Sequence, residues 1–131
     1  MNRRFFLLSL LSLSTLFSQA PNWTSEQEIT LLRNQVYKLN LLISNSDVRE
    51  FSFHWTLYVD KGLVFLAKYD GFNHQSILYN SFRKNSFKIK LAEEGKIRGL
   101  SPYLVVFFKS YDEKSNQATF KVVTYGDVYA Q

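Results

Sequence analysis

From residue 51 onward, apolar and polar side chains alternate with a period of two. Phe51, Phe53, Trp55, Leu57 and Val59 fall in one register, and Ser52, His54, Thr56, Tyr58 and Asp60 in the other. This is the pattern of a half-buried strand, whose successive side chains point to opposite faces of a sheet. Residues 63–69 form a more continuously apolar strand and 76–79 a short one. Across 86–91, Phe87, Ile89 and Leu91 oppose Lys88 and Lys90; residues 103–108 are the most apolar run, and 119–125 supply the last strand. Asp60-Lys61-Gly62, Asp70-Gly71, the polar stretch 93–99 and the 112–117 loop provide turn chemistry between them. Trp55 and Phe107 are the expected core residues, since each stands in the apolar register of a strong strand.

Upstream the period lengthens. Ile29, Leu32, Val36, Leu39 and Ile43 recur at spacings of three and four, with Leu31, Tyr37 and Leu42 widening the stripe. Thr24 and Ser25 can cap, Gln27 and Glu28 stand at capping-box distance, and Glu26 and Glu28 put negative charge where a helix dipole favours it. The pattern predicts an amphipathic helix over 25–44, stopped by Ser44-Asn45-Ser46-Asp47. Its stripe is expected to pack on the domain's own sheet. Oligomerisation through the helix is the lesser reading, because the heptad-like spacing lasts only about two heptads. The expected fold is mainly β (α+β), with one N-terminal helix followed by about six antiparallel strands. They would form a sandwich or a strongly curved sheet. Strands do not alternate with helices, which excludes a parallel α/β arrangement.

The first twenty residues stand apart. Arg3 and Arg4 precede an uncharged apolar run over 5–17, and Ser18-Gln19-Ala20 places small residues before a cleavage point. Residues 1–20 therefore read as a signal peptide and 21–131 as a single domain, exported to the periplasm or secreted. Pro21 would follow the cut and hinder it. Asn2-Arg3-Arg4-Phe5-Phe6-Leu7 resembles a twin-arginine export motif, but Leu8 stands where that motif usually has lysine, and ordinary secretion is the better reading. A length of 131 residues allows one core. A hydrophobic fraction of 46% with 17% aromatics excludes a disordered chain. The absence of cysteine excludes disulfides, thiolate metal sites and cysteine nucleophiles. The net charge of +5 falls to +3 once Arg3 and Arg4 are removed, since residues 1–20 contain no acid. That leaves no case for nucleic acid, which needs a concentrated basic face.

Candidate chemistry is sparse. His54 and His74 are the only histidines, and a metal site would need a carboxylate such as Asp70 brought to them by the fold. No phosphate-binding loop, zinc-protease motif or serine elbow is present, so no metal, cofactor or catalytic residue is assigned. The acidic 112–117 loop lacks the alternating ligand pattern of a calcium site. Arg83, Lys84, Lys88 and Lys90 run without an intervening acid. With Phe72 and His74 in the preceding loop, they form the candidate binding surface. The partner expected there is a protein or an anionic envelope component, either a lipid head group or an acidic glycan. The competing explanation is that lysines on an edge strand discourage strand-to-strand aggregation. Tyrosines in or beside the strands add surface suited to contacts. The resulting expectation is an exported, non-catalytic β module that binds a protein or envelope component, as an accessory subunit. The alternative is a small ligand-binding or catalytic pocket made by a curved sheet closed by the helix.

Overall fold

The computed structural model describes residues 24–43, 47–80, 83–92 and 101–131. The proposed signal peptide and the 93–99 loop lie outside the described residues. Among the described residues there are nine strands: β1 (Ser25–Leu32), β2 (Tyr37–Leu42), β3 (Val48–Val59), β4 (Gly62–Tyr69), β5 (Phe72–Tyr79), β6 (Ser86–Lys90), β7 (Tyr103–Asp112), β8 (Gln117–Tyr125) and β9 (Tyr129–Ala130). They form two antiparallel sheets, ordered β1-β8-β7-β6 and β5-β4-β3-β2-β9. Strands β2 to β5 and β6 to β8 each lie beside their sequence neighbours, and β8 returns to β1. The connectivity is that of an eight-stranded up-and-down barrel flattened into a sandwich. It is open along two seams, β1/β2 and β5/β6.

The segment expected to be helical is instead β1, a turn and β2; no helix occurs among the described residues. The same apolar residues also fit a period of two, with Ile29 and Leu31 on one strand and Leu39, Leu41 and Ile43 along the next. In the folded chain Leu31, Leu39, Leu41 and Ile43 are buried, whereas Leu32 and Val36, which a helix would have placed in its stripe, are each 49% exposed. Magnitudes explain the choice. Helix propensities separate ordinary residues by at most about 0.7 kcal/mol each, while burying one Leu or Ile is worth about 1.5–3 kcal/mol. Strand β8 is available to pair with β1 along all eight residues, and β3 pairs with β2. Tertiary pairing wins.

The turn between β1 and β2 is tied to an irregularity in β3. Register slips between Trp55 and Leu57, leaving Thr56 as a bulge. There the Asn34 N–H donates to the Trp55 carbonyl at 2.9 Å and Arg33 Nε to the Thr56 carbonyl at 2.6 Å. Trp55 Nε1 in turn donates to the Leu31 carbonyl at 3.0 Å, within the core. Asn34 takes a φ of 65°, which asparagine tolerates better than most residues.

The bulge also corrects the expected strand faces. Up to Trp55 the predicted register holds, but beyond it the faces exchange. Tyr58 turns inward, while Leu57 and Val59 emerge at 44% and 54% exposure. A matching slip between Phe108 and Ser110 in β7 turns Tyr111 inward. The two tyrosine rings stack at 4.1 Å.

The interior is filled with rings. Trp55, Phe51, Phe53, Phe65, Phe108 and Phe120 are all essentially inaccessible. Phe53 lies 5.1 Å from both Phe65 in its own sheet and Phe120 in the facing one. Among the described residues no helix closes a curved sheet. Trp55 is a core residue as expected, but Phe107 is not. On β7 the buried inward register is Leu104, Val106 and Phe108, and Phe107 is half-buried on the outer side. A run apolar on both faces could not reveal which face was inward.

Two turns set the register of sheet β5-β4-β3-β2-β9. Asp60 and Lys61 both have positive φ, as do Asp70 and Gly71, giving two-residue hairpin turns of the type that matches strand twist. Gly62 therefore does not serve the turn through positive φ. Its lack of Cβ instead admits the Tyr79 ring, whose Cε1 would lie 3.0 Å from an added Cβ. In the 112–117 loop, Asp112 accepts from the Lys114 N–H and the Ser115 hydroxyl, so its carboxylate holds the loop.

The far end of β6 is fastened to the facing sheet. The Leu91 carbonyl accepts from the Tyr69 hydroxyl at 2.5 Å and from Arg49 Nη1 at 3.0 Å, and Arg49 pairs with Asp47 at 2.9 Å. Burial pushes the Tyr69 hydroxyl above its ordinary pKa, with Arg49 opposing the shift. The hydrogen bond to Asp47 is the main reason the Arg49 guanidinium is held above its own ordinary value.

Candidate functional site

The candidate residues gather around the β5/β6 seam, on different sides of it. Lys88 and Lys90 project from the outer face of β6, with Phe87 and Ile89 turned inward. Lys88 Nζ sits 4.1 Å from the centre of the Tyr103 ring, and Tyr103 lies 4.8 Å from Tyr125. Part of the lysine pattern thus serves an internal cation–π contact. Moreover, β6 is an edge strand of its sheet, the setting in which lysines oppose unwanted pairing.

Arg83 and Lys84 lie in the connection before β6 and are exposed. They line an open groove of about 610 Å³ with Gln75, Ser76, Ile77, Tyr79 and Ser86. None of these seven residues is acidic. At the head of the groove the Tyr79 N–H donates to the Lys84 carbonyl at 2.8 Å, and the Phe108 N–H to the Asn85 carbonyl at 2.7 Å. Past this point β5 and β6 do not pair among the described residues.

His74 and Phe72 lie on β5, opposite Ala67 and Tyr69 in register, and so belong to its inward face. His74 meets the edge of the Phe87 ring at 5.8 Å. Phe72 is 72% exposed although its cross-strand partner Tyr69 is 7% exposed. His54 and His74 border a smaller hollow of about 230 Å³ with Lys68 and Asn73, but no carboxylate joins them. Among the described residues, no group of three or more His, Cys, Asp or Glu side chains could hold a metal ion.

The fold thus brings Arg83 and Lys84 together with residues that sequence reasoning passed over, namely Gln75, Ser76, Ile77, Tyr79 and Ser86. Lys88 and Lys90 are neighbours of that groove and not part of its lining. The one sequence feature that could have drawn attention to the β5 side of the groove is that residues 72–79 carry no formally charged side chain, in contrast to every other long strand. No protein-family model matches this chain, and no curated protein or solved structure matches it either.

Proposed function

We propose that the protein is an exported, non-catalytic β module that binds an acidic partner along the β5/β6 seam. That partner is a protein or an anionic envelope component, such as a lipid head group or acidic glycan. The observation that carries this reading is the open groove beside Arg83 and Lys84, basic and with no acid among its described lining residues. Lys88 and Lys90 extend the positive potential along the adjoining strand. Exposed charges of this kind act chiefly on association rate, and salt weakens them over about 8–10 Å.

The test compares wild-type protein with Arg83→Glu/Lys84→Glu and with Lys88→Glu/Lys90→Glu. Each is recovered from the host's envelope fraction at low salt and inspected by native mass spectrometry. Loss of a bound component from the Arg83/Lys84 variant, with a smaller loss from the Lys88/Lys90 variant, supports the reading. An unchanged complement in both overturns it. Intact mass of the same wild-type sample checks export: the expected chain lacks about 20 residues, and an intact Met1 terminus on cytoplasmic protein refutes it.

A further inference from the structure

We infer that β5 is a strand-addition site that takes an extended, alternately apolar segment of a partner protein, with an acidic residue at the end nearest Tyr79. The inference rests on the binding reading above and specifies its occupant.

The backbone supplies the first argument. The two-residue turn at Asp70 and Gly71 makes Tyr69 and Phe72 the closing hydrogen-bonded pair of the β4–β5 hairpin. Phe72, His74, Ser76 and Leu78 therefore direct their N–H and C=O groups toward β4, and Asn73, Gln75, Ile77 and Tyr79 direct theirs outward. The bond from the Tyr79 N–H to Lys84 confirms this phase. Among the described residues no backbone partner meets Asn73, Gln75 or Ile77. Three residues on the open edge thus offer donors and acceptors over a span that suits about five residues of added strand, at about 3.4 Å each.

The second argument is the exposed inward face. Phe72 and His74 stand in the register that elsewhere fills the core, yet Phe72 is 72% exposed and His74, half-buried, meets Phe87 at the ring edge. A strand laid along β5 would place alternate side chains over these rings, which calls for apolar residues at every second position.

Charge gives the third. The segment would run toward Lys84, which already faces Tyr79 and so ends the open stretch. Whatever occupies that end of the segment lies beside Arg83 and Lys84, in a groove with no acid among its described lining residues. A carboxylate fits there. A second copy of this chain would bring the uncharged strand 72–79 and a lone Asp70, a poorer complement.

The probe is the blocked peptide acetyl-Glu-Val-Thr-Val-Thr-Val-Glu-amide, whose two glutamates allow either orientation. Its control carries lysine at both ends. NMR titration at low salt should slow amide exchange at Asn73, Gln75 and Ile77, and leave Phe72, His74 and Ser76 unchanged, since they are already bonded to β4. Gln75→Pro removes an outward N–H without touching the β4 ladder, and should weaken the acidic peptide roughly tenfold or more. If that variant does not give a folded spectrum, Asn73→Pro places the same block one step along. Arg83→Glu/Lys84→Glu should abolish the preference for glutamate over lysine ends.

Gln75→Pro retaining full peptide affinity would overturn strand addition, while leaving an electrostatic surface intact. Binding of phosphatidylglycerol vesicles that matches the peptide and ignores Gln75→Pro would overturn it in favour of a lipid partner. Concentration-dependent dimerisation of wild-type protein, abolished by Gln75→Pro, would overturn it in favour of a second copy.

Discussion

Strands β5 and β6 border the same seam and handle their exposed edges in opposite ways. β6 is five residues long and places Lys88 and Lys90 on its outer face. β5 is eight residues long, carries no formally charged side chain, proline or bulge, and exposes Phe72 and Ile77. Natural sheets usually shorten or charge an edge that is not meant to pair. β6 follows that rule and β5 departs from it. Lys88 and Lys90 thus stand on an edge strand, where charge opposes pairing, and Lys88 also lies over the Tyr103 ring, while the neutral neighbour strand offers the open backbone. Arg83 and Lys84, between the two, share their groove with β5 residues Gln75, Ser76, Ile77 and Tyr79.

The largest effect expected from breaking this comparison lies beneath the strands. Trp55→Ala removes a fully buried ring together with its bond to the Leu31 carbonyl, and should cost about 3–5 kcal/mol. Leu78→Ala on β5, 1% exposed, should cost about 2–5 kcal/mol. Phe72→Ala on the same strand should stay within about 0.5 kcal/mol, the range of an ordinary surface change. Urea denaturation of the three variants decides this. A Phe72→Ala loss equal to that of Leu78→Ala would mean that β5 is covered along its whole length.

A middle-sized effect concerns how β6 is held at its far end. Tyr69→Phe deletes the hydroxyl bond to the Leu91 carbonyl and should cost about 0.5–1.5 kcal/mol at neutral pH. The pH dependence has a definite sign. Because the folded-state pKa of Tyr69 is raised above 10.0, the folded state favours the protonated hydroxyl. That contribution is fully present below pH 10 and is lost as pH rises through the folded value. Tyr37, also raised by burial, adds in the same direction. Denaturation curves from neutral pH to pH 12 should therefore show the wild type losing more stability than Tyr69→Phe. Parallel curves would refute the assignment.

The smallest effect on stability is expected for Lys88→Thr/Lys90→Thr, within about 0.5 kcal/mol per site. Its value is in association. Neutralising β6 gives it the character of β5, and light scattering should show growing aggregation with protein concentration. A double variant as soluble as wild type would remove edge protection as an explanation of these lysines.

Much of the β region was legible residue by residue. Period-two alternation marked β3 as far as Trp55, and marked Lys88 and Lys90 against Phe87 and Ile89. Asp70-Gly71 announced a two-residue turn because its glycine supplies positive φ without steric cost. The reading failed where a pattern had two solutions. Residues 29–43 satisfy a helical stripe and two short alternations equally well, and Phe107 lies in a run apolar on both faces. Past Trp55, alternation pointed to Leu57 and Val59 as inward, because a one-residue bulge leaves no mark in composition. Of the candidate site, the basic residues were visible and the groove was not.

By itself, then, the sequence determined a β-rich chain without cysteine, the turns that join β3, β4 and β5, and a basic stretch leading into β6. These are local matters, settled by backbone sterics and by which side chains alternate. Only the tertiary structure decided that residues 25–42 pair as strands, that two bulges turn Tyr58 and Tyr111 into a stacked pair, and that β5 and β6 separate past Tyr79. The packing around these features uses partners distant in sequence: β8 for β1, the Leu31 carbonyl for Trp55, the Leu91 carbonyl for Tyr69. Burial of a few large side chains against such partners outweighs the tenths of a kcal/mol by which local propensity distinguishes one backbone state from another.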